Sequence, residues 1–221
     1  MKDEKLSLGI AYDGDGDRCL AIDENGNVVD GDMILAIFAS YFKEKQKLNK
    51  DTLVATIMSN LGLSKFAKNN DINFEQTKVG DRYVLEKMLK EGYNLGGEQS
   101  GHIIMLDYNP TGDGILTSLM LIQILLEKNI SLSKLCDIIT LYPQVLINAK
   151  INSKKKEILN EDIEIKKFIT DLEEEFNGNG RIVVRPSGTE PLVRVMIEGE
   201  NIDNITKKAK ELASIIEQKL N

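Results

Sequence analysis

A three-layer α/β domain followed by a smaller α+β domain, and preceded by the remnant of another α/β domain, is the architecture this 221-residue sequence predicts. Three observations carry it. Strand-like and helix-like patterns alternate from residue 31 to residue 141, as βα units do. The texture changes at Pro143, after which the order reads strand, helix, strand, strand, helix. The first thirty residues hold only short alternating runs around the acidic loop Asp13-Gly14-Asp15-Gly16-Asp17-Arg18. The expected divisions are therefore residues 1–30, 31–141 and 142–221.

Leu8, Ile10 and Tyr12 alternate before the acidic loop, and Leu20 and Ile22 alternate after it until the turn Glu24-Asn25-Gly26-Asn27. Strands on both sides are expected. Asp30-Gly31-Asp32 then opens a helix over Met33–Lys45, with Ile34, Ile37, Phe38, Tyr41 and Phe42 at helical spacing. Leu53–Met58 reads as a buried strand, Leu63–Asn69 as a short helix, Phe74–Val79 as a strand, and Asp81–Glu91 as a helix capped by Asp81. Gly96–Gly101 reads as a glycine-rich loop before the strand His102–Leu106, and a long helix runs from Gly112 to Lys128. Beyond Pro143, strand Gln144–Ile151 precedes the charged connection Ser153–Lys156 and an amphipathic helix over Ile163–Phe176. Strands Arg181–Arg185 and Leu192–Glu198 flank the loop Pro186–Pro191, and a helix over Asp203–Lys219 closes the chain.

Composition narrows the function. The net charge of −7, from 35 acidic and 28 basic residues, disfavours a general nucleic-acid surface or an anionic membrane as partner. Two cysteines without a C-x-x-C pair suggest neither a disulfide framework nor a zinc site. The charged first residues do not resemble a signal peptide and no apolar run is long enough to span a bilayer, so a cytoplasmic location is expected.

Asp13, Asp15 and Asp17 offer hard oxygen ligands on alternating positions, with glycines that let the backbone fold tightly, which suits Mg²⁺ or Ca²⁺. An EF-hand is one reading, since Glu24 falls at its twelfth position, but Arg18 occupies the sixth, where that loop needs glycine. A solvated acidic turn is another. Arg185-Pro186-Ser187-Gly188-Thr189-Glu190-Pro191, with Arg194 beyond it, has the chemistry of a phosphate cradle: guanidinium forks, hydroxyls and a close-approaching backbone. Gly97-Glu98-Gln99-Ser100-Gly101-His102 gathers a carboxylate, an amide, a hydroxyl and the only histidine, a set that suits sugar hydroxyls. Thr77-Lys78-Val79-Gly80-Asp81-Arg82 places a lysine at a strand end, where open α/β sheets bind ligands. Taken singly, a packed histidine, a solvated lysine and an ordinary Pro-Gly turn account for these residues equally well.

Together and in this order, D-G-D-G-D-R, K-V-G-D-R-Y, G-E-Q-S-G-H and R-P-S-G-T-E-P resemble the α-D-phosphohexomutase superfamily across essentially the whole chain. The wording is most similar to the members that interconvert glucosamine 6-phosphate and glucosamine 1-phosphate for UDP-N-acetylglucosamine and peptidoglycan precursors. The resemblance implies Mg²⁺ as cofactor on Asp13, Asp15 and Asp17, with Arg18 beside the phosphoryl-transfer centre. It implies Lys78 and His102 as catalytic groups assisting proton transfer, with Lys78 the stronger candidate. Glu98 and Ser100 would hold sugar hydroxyls, and Arg185, Ser187, Gly188, Thr189 and Arg194 the phosphate that is not reacting. The family's first domain with its phosphoserine loop has no counterpart here, and neither Ser59 nor Ser64 lies in a matching motif. The expected partners are thus a phosphosugar, the N-terminal domains of the same enzyme and, in the complete enzyme, a homodimer, with no turnover by this chain alone. A phosphomannomutase or phosphoglucomutase portion is the alternative within the family; a non-catalytic cation or phosphosugar binding module is the alternative outside it.

Overall fold

The computed structural model describes residues 6–152, 159, 161–187 and 190–221. The chain divides into two compact units, Met1–Leu141 and Tyr142–Asn221.

The first unit opens with an antiparallel sheet of β1 (Gly9–Tyr12), β2 (Cys19–Ile22) and β3 (Val28–Val29), in that order. Asp23 fixes the β2–β3 turn, because its carboxylate accepts the backbone N–H groups of Asn25 and Asn27 at 2.9 and 2.8 Å. Helix α1 (Gly31–Glu44) follows, and Asp30 caps it by accepting the Met33 N–H at 3.1 Å. Its apolar residues recur so densely that Ile34 to Ala39 are all buried.

The central sheet has the order β5 (Asn73–Thr77), β4 (Thr52–Thr56), β6 (Leu95–Gly97), β7 (Ile103–Met105), with β4 parallel to both neighbours and β7 antiparallel to β6. Strand β4 is buried along its length, and its side chains divide by alternation. Leu53 and Ala55 join the core with α1 and α2 (Leu61–Asn69), and Val54 joins Val84 and Met88 of α3 (Asp81–Glu91) on the opposite face. Helices on both faces make the expected three layers. Helices α4 (Gly114–Lys128) and α5 (Leu132–Cys136) complete the larger core, which also takes in Ala21 and Val29 of the first sheet.

In the second unit, β8 (Gln144–Lys150), β10 (Leu192–Gly199) and β9 (Gly180–Pro186) form an antiparallel sheet in the order β8-β10-β9. Val193, Val195 and Ile197 point from the central strand into one apolar cluster with Ile165, Leu172 and Phe176 of α6 (Ile163–Phe176). Ile205, Leu212 and Ile216 of α7 (Ile202–Leu220) fill the same cluster, so this unit is a two-layer α+β domain.

Several local expectations need correction. Gly96 and Gly97 are strand residues of β6, because the site of each side chain is filled by neighbours, Met88 and Val54 at Gly96 and His102 and Ile103 at Gly97. Asp81 does not cap α3; Gly80 holds the cap position at φ 129, a conformation open to glycine. The first helix begins two residues early, at Gly31, and α5 was not foreseen. The connection Ser153–Lys156 lies outside the described residues.

Candidate active site

The acidic loop leaves β1, turns through Gly14 and Gly16, and returns into β2. One carboxylate oxygen from each of Asp13, Asp15 and Asp17 lies within 4.8 Å of the others. The Arg18 N–H donates to Asp13 Oδ1 at 3.2 Å, and the Arg18 Nε lies 3.5 Å from Asp13 Oδ2 and 3.8 Å from Asp17 Oδ1. Three converging carboxylates repel one another, and their titration shows it. Burial and then the Asp13 and Asp15 carboxylates push Asp17 above the usual carboxylate range, opposed by His102. For Asp13 burial works upward, but the Arg18 N–H, hydrogen bonds with Asp17 and Asp15, and the Arg18 charge outweigh it and hold the group low. Without a cation the loop keeps this mutual carboxylate repulsion, which a bound cation would relieve. Among the described residues the buried Asp17 Oδ1 accepts no hydrogen bond, and an all-oxygen donor set with one such atom fits a hard divalent ion such as Mg²⁺.

The EF-hand reading fails on Glu24. Its carboxylate accepts the Ser133 hydroxyl at 2.5 Å and the Ser133 N–H at 3.3 Å, which hold it down at about 2, and it is bound away from the triad.

Other loops of this unit close around the triad. His102, 4% exposed, sets its Nε2 3.5 Å from Asp17 Oδ2 and 4.0 Å from Asp81 Oδ2. Glu98 reaches the 78–82 loop, where its Oε1 accepts the Gly80 N–H at 3.0 Å. Gln99 Nε2 donates to Asp30 Oδ2 at 3.3 Å, and the Gly101 carbonyl accepts the Cys19 N–H at 3.1 Å. The sugar-loop candidates are thus tied to the acidic loop, to α1 and to the lysine loop. Ser100 is exposed and lines a cleft of about 200 Å³ with Asp13, Arg18 and Tyr12. Lys78 is exposed at the end of β5, and among the described ion pairs none uses its ammonium.

Sequence reasoning missed what lies behind the acidic loop. The N-terminus of α4 packs against it: the Gly114 N–H donates to the Gly16 carbonyl at 2.9 Å, and the Tyr12 and Ser118 hydroxyls are 2.6 Å apart. A side chain at Gly114 would fall 2.6 Å from the Arg18 carbonyl oxygen and 2.8 Å from that of Gly16. The repeat Gly112-Asp113-Gly114 was the available signal, but it reads equally well as an ordinary helix start. Asp81 was likewise read only as a cap.

In the second unit Arg185 and Arg194 are directly paired across β9 and β10, on the sheet face turned away from α6 and α7. The Nε atoms of both are buried and donate no hydrogen bond among the described residues. Burial, then repulsion from Arg194, lowers the Arg185 pKa, as expected where two guanidinium groups face each other. Among the described residues, Arg194 pairs with Glu190, at 3.5 Å. Ser187 is buried, and its hydroxyl accepts the Glu190 N–H at 3.2 Å, which shapes the loop. Gly188 and Thr189, also expected in the cradle, lie outside the described residues.

Comparison with known proteins identifies the family. Residues 30–142 match the family described as phosphoglucomutase/phosphomannomutase, alpha/beta/alpha domain III, and residues 146–215 match the phosphoglucomutase/phosphomannomutase C-terminal domain. The chain is 56% identical over 220 residues to a phosphoglucosamine mutase of Ruminiclostridium cellulolyticum, covering 100% of this chain and 49% of that protein. A phosphoglucosamine mutase of Clostridium acetobutylicum is 57% identical over 218 residues, 99% of this chain and 49% of its own length. The chain therefore spans about half the length of these relatives. Among solved structures, Aspergillus fumigatus N-acetylphosphoglucosamine mutase shares the fold with a TM-score of 0.80 at 21% identity, over 95% of this chain and 48% of that one. A phosphoglucomutase/phosphomannomutase family protein of Burkholderia thailandensis does so with a TM-score of 0.75 at 21% identity, over 96% of this chain and 48% of its own. On the two family matches and these identities, the chain belongs to the phosphoglucomutase/phosphomannomutase family of α-D-phosphohexomutases.

Proposed function

We propose that this chain supplies the metal, sugar and distal-phosphate sites of a phosphoglucosamine mutase, which interconverts glucosamine 6-phosphate and glucosamine 1-phosphate. The carrying observation is the convergence of Asp13, Asp15 and Asp17 within 4.8 Å, beside Arg18 and facing the cleft that Ser100 lines. The sequence identity to relatives bearing that name supports the choice of sugar. A phosphoryl group in flight carries charge that must be offset and a geometry that must be held. Mg²⁺ held by Asp13, Asp15 and Asp17 would supply charge neutralisation at the transferred group. Arg18 adds a guanidinium beside the same carboxylates. Glu98 and Ser100 orient the sugar hydroxyls. Lys78, exposed at a strand end, is the better placed proton carrier, with His102 behind it. Arg185, Ser187, Gly188, Thr189 and Arg194 grip the phosphate that is not transferred, and the unused Nε donors of the two arginines support that role.

The phosphoryl donor comes from the half of the relatives' length that this chain does not match. The first unit also leaves β1 at a sheet edge and Ile115, Leu119 and Leu126 of α4 exposed, a surface that the remaining half would cover. Calorimetry of the purified chain tests the assignment. Glucosamine 6-phosphate should bind more tightly than mannose 6-phosphate, and Mg²⁺ should bind without the strong Ca²⁺ preference of a calcium module. Tight Ca²⁺ binding with no sugar-phosphate uptake would instead establish the non-catalytic reading.

A further inference from the structure

We propose that Gly112 is a positioning residue: its missing side chain is the recess that seats the His102 imidazole against Asp17 and Asp81. Backbone conformation does not require glycine here, because Gly112 lacks a left-handed φ. Space does. A Cβ at this position would overlap the Nε2, Cδ2 and Cε1 atoms of His102, the last at 2.6 Å. The imidazole cannot swing aside at little cost, since the residue is 4% exposed. Its Nε2 bridges Asp17 at 3.5 Å and Asp81 at 4.0 Å, so the ring joins the acidic loop to the start of α3, next to Lys78. Its Nδ1 is buried and has no hydrogen-bond partner among the described residues, so shape positions the ring on one side while its Nε2 faces the two carboxylates on the other. Loss of the recess moves Nε2 away from both.

The inference rests on reading Asp13, Asp15 and Asp17 as a metal loop, and the test separates the two. Mn²⁺ affinity by electron paramagnetic resonance, and amide exchange of residues 13–18 without metal, are measured for the chain, Gly112→Ala, His102→Ala and the double variant. Gly112→Ala should weaken Mn²⁺ binding about 10- to 100-fold, the range for groups that orient metal ligands, and speed exchange across 13–18 while β4 stays protected. In the His102→Ala background, where the recess is vacant, Gly112→Ala should change neither quantity. If Gly112→Ala fails to fold and the double variant folds, the recess is likewise established. An equal loss in both backgrounds, or a folded Gly112→Ala with wild-type affinity and exchange, overturns the proposal. If the unaltered chain takes up no Mn²⁺, the metal reading fails, while the exchange data still decide whether Gly112 seats His102.

Discussion

Removing Arg194 should abolish the stabilisation of the second unit by phosphate without weakening that unit when phosphate is absent. Arg185 and Arg194 sit opposite one another on adjacent strands, each with a buried Nε that donates no hydrogen bond among the described residues. An oxyanion between them accepts two charge-assisted hydrogen bonds worth about 2 kcal/mol each, and the resulting 4 kcal/mol corresponds to a Kd of about 1 mM. Inorganic phosphate at about twentyfold over that Kd then stabilises the folded unit by about 1.8 kcal/mol through mass action. For a unit of this size, such a gain raises the midpoint by about 7–14 °C. Arg194→Gln removes one donor and the repulsion that lowers the Arg185 pKa, and it gives up only an exposed 3.5 Å contact with Glu190. Its midpoint without phosphate should therefore match or exceed the unaltered chain. Differential scanning calorimetry of both chains, with and without phosphate, reads the result for the transition belonging to this unit. Phosphate also stabilises proteins by exclusion from their surfaces, which affects both chains alike. Equal phosphate shifts in the two chains would refute the cradle.

Two further perturbations probe the framework. Glu198 is fully buried, with the Arg181 Nε at 2.5 Å and the Gln144 Nε2 at 3.1 Å, so Arg181→Ala leaves a buried carboxylate without its charge partner; urea denaturation should show the second unit destabilised by about 3 kcal/mol, much of it restored by adding Glu198→Gln. Glu24 is held at about 2, first by the Ser133 hydroxyl, against an unfolded value of 4.5, so the stability it contributes is present above pH 4.5 and lost as pH falls toward 2. Glu24→Gln should accordingly lower the melting temperature at neutral pH and converge with the unaltered chain near pH 2.

How much of this was legible in the sequence depended on how local each signal is. The acidic loop could be read because its three carboxylates lie within five residues and glycine fills the gaps. Helix α6 could be read to the residue, since Ile165, Leu172 and Phe176 mark one buried face and Asp162 caps the first turn. Strand β6 was hidden, because a strand ending in two glycines has no apolar alternation and is specified by what packs over it. His102 was ambiguous for a related reason. Its neighbours come from three separate segments, the acidic loop, the start of α3 and the turn before α4, and no local pattern links residues 17, 81, 102 and 112. Gly112 and Gly114 carry their information as absent atoms, which a sequence shows only once the neighbouring backbone is known.

On the function proposed above, this chain holds metal, sugar and distal phosphate for a mutase whose phosphoryl donor lies in the other half of its relatives. Conversion of glucosamine 6-phosphate to glucosamine 1-phosphate, followed by phosphorus NMR with glucose 1,6-bisphosphate and Mg²⁺, tests it when the chain is mixed with the N-terminal half of the Clostridium acetobutylicum relative. Turnover should appear with both halves together, be absent from either alone, and vanish when Asp15 is replaced by Asn. Robust turnover by this chain alone, or by the mixture with Asp13, Asp15 and Asp17 all replaced by Asn, would contradict it.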